Sequence, residues 1–430
     1  MILQLKVKNY RSYKEETVFS MEANSSSHKT ENVFEITNDK QKSRLVKTAI
    51  IYGANASGKS NVIRAFFELR KFILFKPKVG DSIDLYEPFK FDIISKEEPC
   101  EFELAFLGPN KIKYIYKTAI VMNRVLEEEL HYYPNGKRTN VFKRAKFKEN
   151  IRVQKGVLGD SFGKKEINVF ANQLILSKFG DDEPHELLTD VFLYFRKIEI
   201  INATNESHKE FYLKKVSEDL FEDKQLKQKL VRLIKAADTK IFDINITKSK
   251  DDSTSNLNDD AKKLIEKNPF SIYGVHDVYL NNEIVGFDLL PFGQESTGTQ
   301  SIYLLGGKIL RTLEKGGLMI VDELDTSLHP FITKMIVMIF QSETTNPKNA
   351  QLIFTTHDVS LLDRDLIRRD QVWIAEKNEK GSTELYSLQD FDVREDTPFE
   401  KWYLAGKFGG LPKIKSIESL LLQEDEQTIS

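Results

Sequence analysis

The sequence predicts an α/β fold in which mixed parallel and antiparallel sheets are flanked by helices and interrupted by a helical insertion. Three observations carry this expectation. An apolar run, Thr48-Ala49-Ile50-Ile51-Tyr52, leads through Gly53-Ala54-Asn55-Ala56-Ser57-Gly58-Lys59-Ser60 into an amphipathic stretch over 61–69, the order strand, loop, helix. Short alternating runs separated by turn residues dominate 81–148, as in an antiparallel sheet. From about 285 to 390 strand-like and helix-like runs alternate, which argues for a mainly parallel sheet covered by helices.

Composition narrows the function classes. The 430 residues are 30% charged and 40% apolar with a net charge of −2, the balance of a globular chain with room for one large domain or two ordinary ones. No global basic excess announces nucleic-acid binding. Cys100 is the single cysteine, which excludes an intramolecular disulfide and any multi-cysteine zinc site; with no signal-like apolar N-terminus, the expected compartment is the cytoplasm. No apolar stretch approaches a membrane span, and the sustained heptads of a long coiled coil are missing.

Taken in order, residues 2–13 alternate apolar and polar and read as a half-buried strand, and 23–44 as a loop or hairpin. Strands follow at 100–107, 114–121, 125–132 and 139–142, with turns at Gly108-Pro109-Asn110 and Pro134-Asn135-Gly136. The period then becomes helical over 186–195 and 225–237, while 248–263 is polar enough to expect a flexible loop. A helix is expected at 299–313, a strand at 318–321, a helix at 330–340, and strands at 351–355, 371–375 and 383–387. The expected division is a first lobe at 1–170, a mainly helical insertion at 171–284 and a second lobe at 285–430.

The chemistry-bearing residues sit at strand ends. In a G-x-x-x-x-G-K-S loop the glycines let backbone N–H groups turn inward, and with the positive end of the following helix they cradle phosphates. Lys59 would reach the β and γ oxygens of a nucleotide and Ser60 would hold Mg²⁺. Asp322 and Glu323 close the apolar run 317–321, where Asp322 would reach the Mg²⁺ shell and Glu323 would polarise an attacking water. His357, just past the 351–355 strand, would donate to the γ-phosphate or that water. Gln294-Glu295-Ser296-Thr297-Gly298-Thr299-Gln300 leads into a helix whose N-terminus offers a second phosphate contact. Both contacts do not easily serve one nucleotide within one chain, and a sandwiched dimer resolves this.

In order along the chain, L-x-V-x-N-Y-R-S (5–12), A-N-A-S-G-K-S-N (54–61), E-S-T-G-T-Q (295–300), V-D-E-L-D-T-S-L-H-P (321–330), T-T-H-D (355–358) and Y-L-A-G-K-F-G-G-L-P (403–412) resemble the ABC-type ATPase heads of the SMC, RecF and OLD groups. More closely they resemble prokaryotic AAA family ATPases of the OLD-like, abortive-infection type. The resemblance implies ATP and Mg²⁺ as ligands, bound by Gly53, Asn55, Ala56, Ser57, Gly58, Lys59, Ser60 and Asn61. It also implies that Ser296 and Gly298 bind the γ-phosphate held by a second copy, that Asp325 communicates between two sites, and that His357 acts as a switch. The signature departs from the transporter pattern, reading Ser-Thr-Gly-Thr-Gln in place of Ser-Gly-Gly-Gln. Gln173 is a candidate by type and position for the glutamine that contacts Mg²⁺, against an ordinary polar strand residue.

The resemblance further implies an ATP-hydrolysing sensor and scaffold in anti-phage defence, similar to the ATPase subunit of PARIS-like or RloA-like systems. Residues after His357 read as strands completing the core plus the 403–412 run, with no fused TOPRIM domain and no H-N-H motif. An effector, a TOPRIM- or HNH-type nuclease, is therefore expected in trans. The alternative is a RecF-like DNA-binding ATPase in repair, with Lys143-Arg144-Ala145-Lys146-Phe147-Lys148, or Arg364 with Arg368 and Arg369, touching DNA phosphates. A third reading is a scaffold that binds ATP and turns it over too slowly to matter.

Overall fold

A computed structural model describes residues 1–38, 41–108, 111–147, 150–162, 167–202, 206–237, 240–249, 269–394 and 397–412. Its centre is a six-stranded sheet in the spatial order Glu199–Asn202, Leu318–Asp322, Gln351–Thr355, Thr48–Tyr52, Val372–Lys377 and Thr383–Ser387. The first five strands are parallel and the last is antiparallel. Thr48–Tyr52 is buried along its whole length, the continuous apolar pattern of a central parallel strand. In an open parallel sheet ligands gather beyond the carboxyl ends of the strands. Here those ends are Tyr52, Asp322 and Thr355, immediately followed by the phosphate-type loop, Glu323 and the His357 segment.

The second layer is a seven-stranded antiparallel sheet ordered Asn150–Gln154, Thr139–Phe147, Arg124–Tyr132, Lys113–Val121, Cys100–Leu107, Ile2–Lys8 and Thr17–Ser20. The helix Lys59–Leu74 packs between the layers. Its buried residues Val62, Ile63, Phe66, Leu69 and Ile73 share one core with Leu5 and Val7 of the antiparallel sheet and Ile353 and Trp373 of the parallel one. Each fully buried aliphatic or aromatic side chain contributes about 1.5–3 kcal/mol relative to exposure. Gln351 fastens the layers further: its side chain accepts from Ile2 N at 2.8 Å and donates to Ile2 O at 3.2 Å. Residues 23–44, read as a loop or hairpin, contain the strand Val33–Asn38, which pairs with Gln41–Val46.

Helices predominate between 171 and 284, chiefly Glu186–Arg196, Glu206–Glu222 and Lys224–Ala236, but strands occur there too. Glu199–Asn202 pairs in parallel with Leu318–Asp322, so the middle of the chain supplies an edge of the central sheet. Asp243–Lys248, Phe270–Leu280 and Glu283–Pro291 form a separate three-stranded antiparallel sheet. The hairpin at 270–291 therefore starts before the expected return to strands. The polar stretch expected to be a loop lies, from residue 250 on, outside the described residues.

Three arginines of the two basic clusters need correction, whereas Arg364 is exposed. Arg144 is buried and donates to Gln173 O at 2.6 Å and Phe170 O at 3.2 Å, and Lys143 pairs with Glu129. Arg368 is likewise buried, held bidentately by Asp370 at 2.9 and 2.8 Å, and Arg369 donates to Val393 O at 2.6 Å. A buried guanidinium needs such partners because an isolated buried charge is costly. These arginines hold the fold together and do not form a DNA-facing surface.

Candidate functional site

The loop after Tyr52 takes the backbone shape a phosphate cradle requires. Gly53, Ala56 and Gly58 have φ of 152°, 61° and 101°. A Cβ at Gly58 would collide with the Thr383 hydroxyl, which is why the position needs glycine. Ser57 N donates to Ala54 O at 3.1 Å, closing the loop on itself. The Ser57 hydroxyl is buried and has no hydrogen-bond partner, an orphan inside a ring of backbone amides.

Neighbouring elements brace this loop. Thr383 Oγ1 donates to Ser57 O at 2.7 Å and bonds the Ser12 hydroxyl at 2.8 Å, and Asn61 Nδ2 donates to the same Ser12 oxygen at 2.7 Å. Tyr13 OH donates to Gly58 O at 3.1 Å, and Arg11 reaches Asn61 Oδ1 at 3.1 Å. The Asn9-Tyr10-Arg11-Ser12 turn achieves this through left-handed Asn9 and Arg11, with φ of 50° and 53°. Buried Asn9 donates to Ser95 O at 2.8 Å and accepts from Phe89 N at 3.1 Å, which carries residues 87–91 to the mouth of the loop.

The result is an open cleft of about 590 Å³ lined by Arg11, Ser12, Asn55, Ala56, Gly58, Lys59, Ser60 and Asn61, with Glu87, Lys90, Phe91, Glu323 and Lys377 across from them. Sequence reasoning missed Glu87, Lys90, Phe91 and Lys377. Only the N-Y-R-S motif hinted at the first three, because Asn9 is what anchors their segment. The Lys59 side chain is buried, and burial pushes its pKa below the usual lysine range while Glu323, Asp322 and Asp325 pull it back up. An anionic ligand at its tip would restore the charged form.

Asp322 and Glu323 part ways at the strand end. Asp322 accepts from Thr355 Oγ1 at 2.6 Å, and the same hydroxyl oxygen accepts from Glu323 N at 2.7 Å. Glu323 is left-handed, with φ of 56°, a conformation that costs a non-glycine residue about 1–2 kcal/mol and turns its side chain out of strand register toward the cleft. Its carboxylate otherwise meets only Thr326 Oγ1, at 3.4 Å. Asp325 Oδ2 accepts from His357 N at 3.2 Å, while its Oδ1 is buried without a hydrogen-bond partner. His357 itself is exposed.

Among the described residues no three His, Cys, Asp or Glu converge on a metal position. A divalent cation would therefore rest on Ser60, Asp322 and the ligand's own oxygens, a sparse oxygen set that suits Mg²⁺, which keeps much of its hydration. The two donors fit that ion by type: Ser60 lines the cleft, while Asp322 is buried at the adjoining strand end and is not among the lining residues.

Ser296 and Gly298 are not part of the cleft lining. Ser296 caps the helix Thr297–Lys315, its Oγ accepting from Thr299 N at 3.1 Å. Gly298 lies against the turn after Glu323: a Cβ there would stand 3.1 Å from Ser327 O. Glu295 is tied to His276 of the 270–291 hairpin at 2.7 Å. Gln173 is buried in a turn beneath Arg144, its Oε1 3.5 Å from Phe170 N, and does not line the cleft either; the Mg²⁺ candidacy raised from sequence has no geometric support.

A family model described as "AAA domain, putative AbiEii toxin, Type IV TA system" matches residues 49–363. Among curated proteins none matches. Similar solved structures include the SMC head domain from Thermotoga maritima, at 13% identity and TM-score 0.41, covering 91% of this chain and 99% of that one. The recombination mediator protein RecF with ATP is another, at 13% identity and TM-score 0.36, covering 90% of this chain and 99% of that one.

Proposed function

The chain belongs to this AAA-domain family, and on that premise we propose that it is an ATP-binding and ATP-hydrolysing ABC-type ATPase whose site is completed by a second copy. The observation that carries the reading is the division of the site. Lys59, Ser60 and Glu323 share one cleft, while Ser296 and Gly298 present a helix N-terminus elsewhere.

In this mechanism the amides of 53–60 and the Lys59 ammonium bind the phosphates, and Arg11, Lys90 and Phe91 flank the outer part of the cleft, where a base and ribose would lie. Ser60 and Asp322 would hold Mg²⁺, which would supply charge neutralisation to the bound phosphates. Thr355 fixes the Asp322 carboxylate and the Glu323 backbone through one hydroxyl, so the two acids keep separate tasks. Glu323 orients a water and takes its proton. His357, anchored through its backbone to Asp325, donates to the transferred group. Ser296 and Gly298 of the second copy close the site and exclude water.

At the level of the cell we propose a sensor and scaffold in anti-phage defence that controls a separately encoded effector, a nuclease of TOPRIM or HNH type. The family's description as a putative AbiEii toxin of a Type IV TA system and the motif resemblance support this reading. The test is mass measurement of the Glu323→Gln protein with ATP and Mg²⁺, alone and with its genomic neighbour. A dimer with ATP and a heteromeric complex with the neighbour are expected. A monomer at saturating ATP would sink the shared site, and failure to bind the neighbour would remove the effector.

A further inference from the structure

The 403–412 run has no task in the mechanism above, yet it packs directly onto the site. It continues from the short helix Phe399–Leu404, and Gly406, Gly409 and Gly410 are all left-handed, with φ of 74°, 70° and 71°. Three such residues within five fold the chain back on itself. Gly406 N donates to Tyr403 O at 2.8 Å, Lys407 N to Trp402 O at 3.0 Å and Gly409 N to Gly406 O at 3.2 Å. The reversal buries Phe408 against Trp402 and Phe391, with ring centroids 5.9 and 5.2 Å away, and Tyr386 OH donates to Phe408 O at 3.0 Å.

This fold-back brings Gly410 to the phosphate loop. A Cβ at Gly410 would stand 2.5 Å from Ile374 Cγ2, which together with the left-handed backbone requires glycine there, while Gly53 Cα would lie in ordinary van der Waals contact at 3.7 Å. The same segment reaches the His357 side. The Tyr403 ring lies 5.7 Å from Tyr52, the residue before Gly53, and the Tyr403 hydroxyl donates to Gly410 O at 3.3 Å. Tyr52 OH donates to Asp358 O at 3.0 Å, one residue past His357, and Glu400 N donates to Leu362 O at 3.2 Å. Tyr52 and Tyr403 are both buried, and neither lines the cleft.

We propose that residues 399–412 are a positioning strap that fixes the spacing between the Gly53 turn and His357, with Tyr52, Tyr403 and Gly410 as its positioning residues. The proposal rests on the reading of residues 53–60 as a nucleotide cradle. Parallel pairing fixes where the strands Thr48–Tyr52 and Gln351–Thr355 end, but not how the two loops beyond them stand to each other. The strap supplies that third side. It acts at one end where Gly410 packs on Ile374 beside Gly53, and at the other through the Tyr403 ring on Tyr52, whose hydroxyl holds the Asp358 carbonyl, and through Glu400 N on Leu362 O, so it bears on phosphate binding and on the His357 donor.

The test uses the full chain and reads ATP affinity and turnover separately. Tyr52→Phe keeps the ring on Tyr403 and loses the bond to Asp358 O; kcat should fall about tenfold with the ATP Kd within about twofold of parental. Gly410→Ala sets a methyl against Ile374 at a left-handed position and displaces the strap beside Gly53, and the ATP Kd should rise about tenfold or more. Leu404→Ser, on the exposed side of the strap, should match the parental protein in both. A strap with a purely structural role would lower the thermal midpoint and leave kcat per folded molecule and Kd unchanged in Tyr52→Phe and Gly410→Ala; that pattern overturns the proposal. Should Gly410→Ala fail to fold, Tyr403→Leu decides instead: it removes the ring on Tyr52 and the bond to Gly410 O, and kcat should fall about tenfold, whereas parental kcat and Kd overturn the strap. If the parental protein binds ATP without hydrolysing it, the ATPase reading fails while the Gly410→Ala affinity still decides the strap. If it binds no ATP, the cradle and the strap fall together.

Discussion

The two halves of the candidate site are built in opposite ways. The phosphate loop is braced from four directions: Thr383 and Ser12 on one side, Asn61 and Arg11 on another, Tyr13 on the Gly58 carbonyl, and Gly410 against Gly53. The Ser296 helix start has an exposed cap whose side-chain bonds are local, to Thr299, within its own turn. A half that must be ready before its ligand arrives is held rigid within one chain. A half whose ligand comes with another molecule is held only well enough to present itself.

Variants can sharpen or break that contrast. The largest effect is expected from Glu323→Gln, which removes the water-polarising base: hydrolysis should fall by about 10²–10⁴-fold with ATP still bound, read by phosphate release beside equilibrium binding. Hydrolysis at the parental rate would show that Glu323 is not the base. Next comes Lys59→Ala, where loss of a charge-assisted contact worth about 1.5–3 kcal/mol should weaken ATP about 10–100-fold by calorimetry. Undiminished affinity would overturn the loop assignment.

The signature half separates its two roles by choice of substitution. Ser296→Asp keeps a capping oxygen for Thr299 N but sets a negative charge where a phosphate would sit. Monomer stability should hold while the ATP-driven dimer weakens about tenfold in sedimentation. Ser296→Ala should instead cost about 1 kcal/mol of stability through the cap. If Ser296→Asp dimerises as the parental protein does, the exposed half has no phosphate to meet. The smallest effect belongs to Thr383→Val. Loss of its bonds to Ser57 O and Ser12 should cost about 1 kcal/mol and weaken ATP a fewfold, because the other braces remain.

Much of this arrangement was legible in the sequence because binary pattern and loop chemistry agree locally. The octet 53–60, the apolar run ending at Asp322 and the strand before His357 stand where those patterns put them. Tertiary placement was not legible. Glu87, Lys90 and Phe91 reach the cleft through the side chain of Asn9, about eighty residues away in sequence, and nothing around them advertises it. Glu199–Asn202 is four residues between helices, too short for a period to show. The basic clusters misled because counting charges does not separate solvent-facing arginines from Arg144 and Arg368, whose guanidinium groups are satisfied inside. The mainly helical expectation for 171–284 missed Asp243–Lys248 and the start of the 270–291 hairpin, whose apolar residues do not keep a strict two-residue alternation.

The pairing of Thr48 with Leu352 joins residues 304 positions apart, and the strand Val372–Lys377 closes the other side of Thr48–Tyr52 later still. A ribosome adding about 5–20 residues per second needs roughly 15–60 s to cover that interval. For that time the nascent chain holds a finished phosphate-loop sequence with no sheet to mount it on. The candidate site is therefore among the last parts of the protein to form, and a prematurely terminated chain lacking the region beyond residue 350 carries the motif without the strands that mount it.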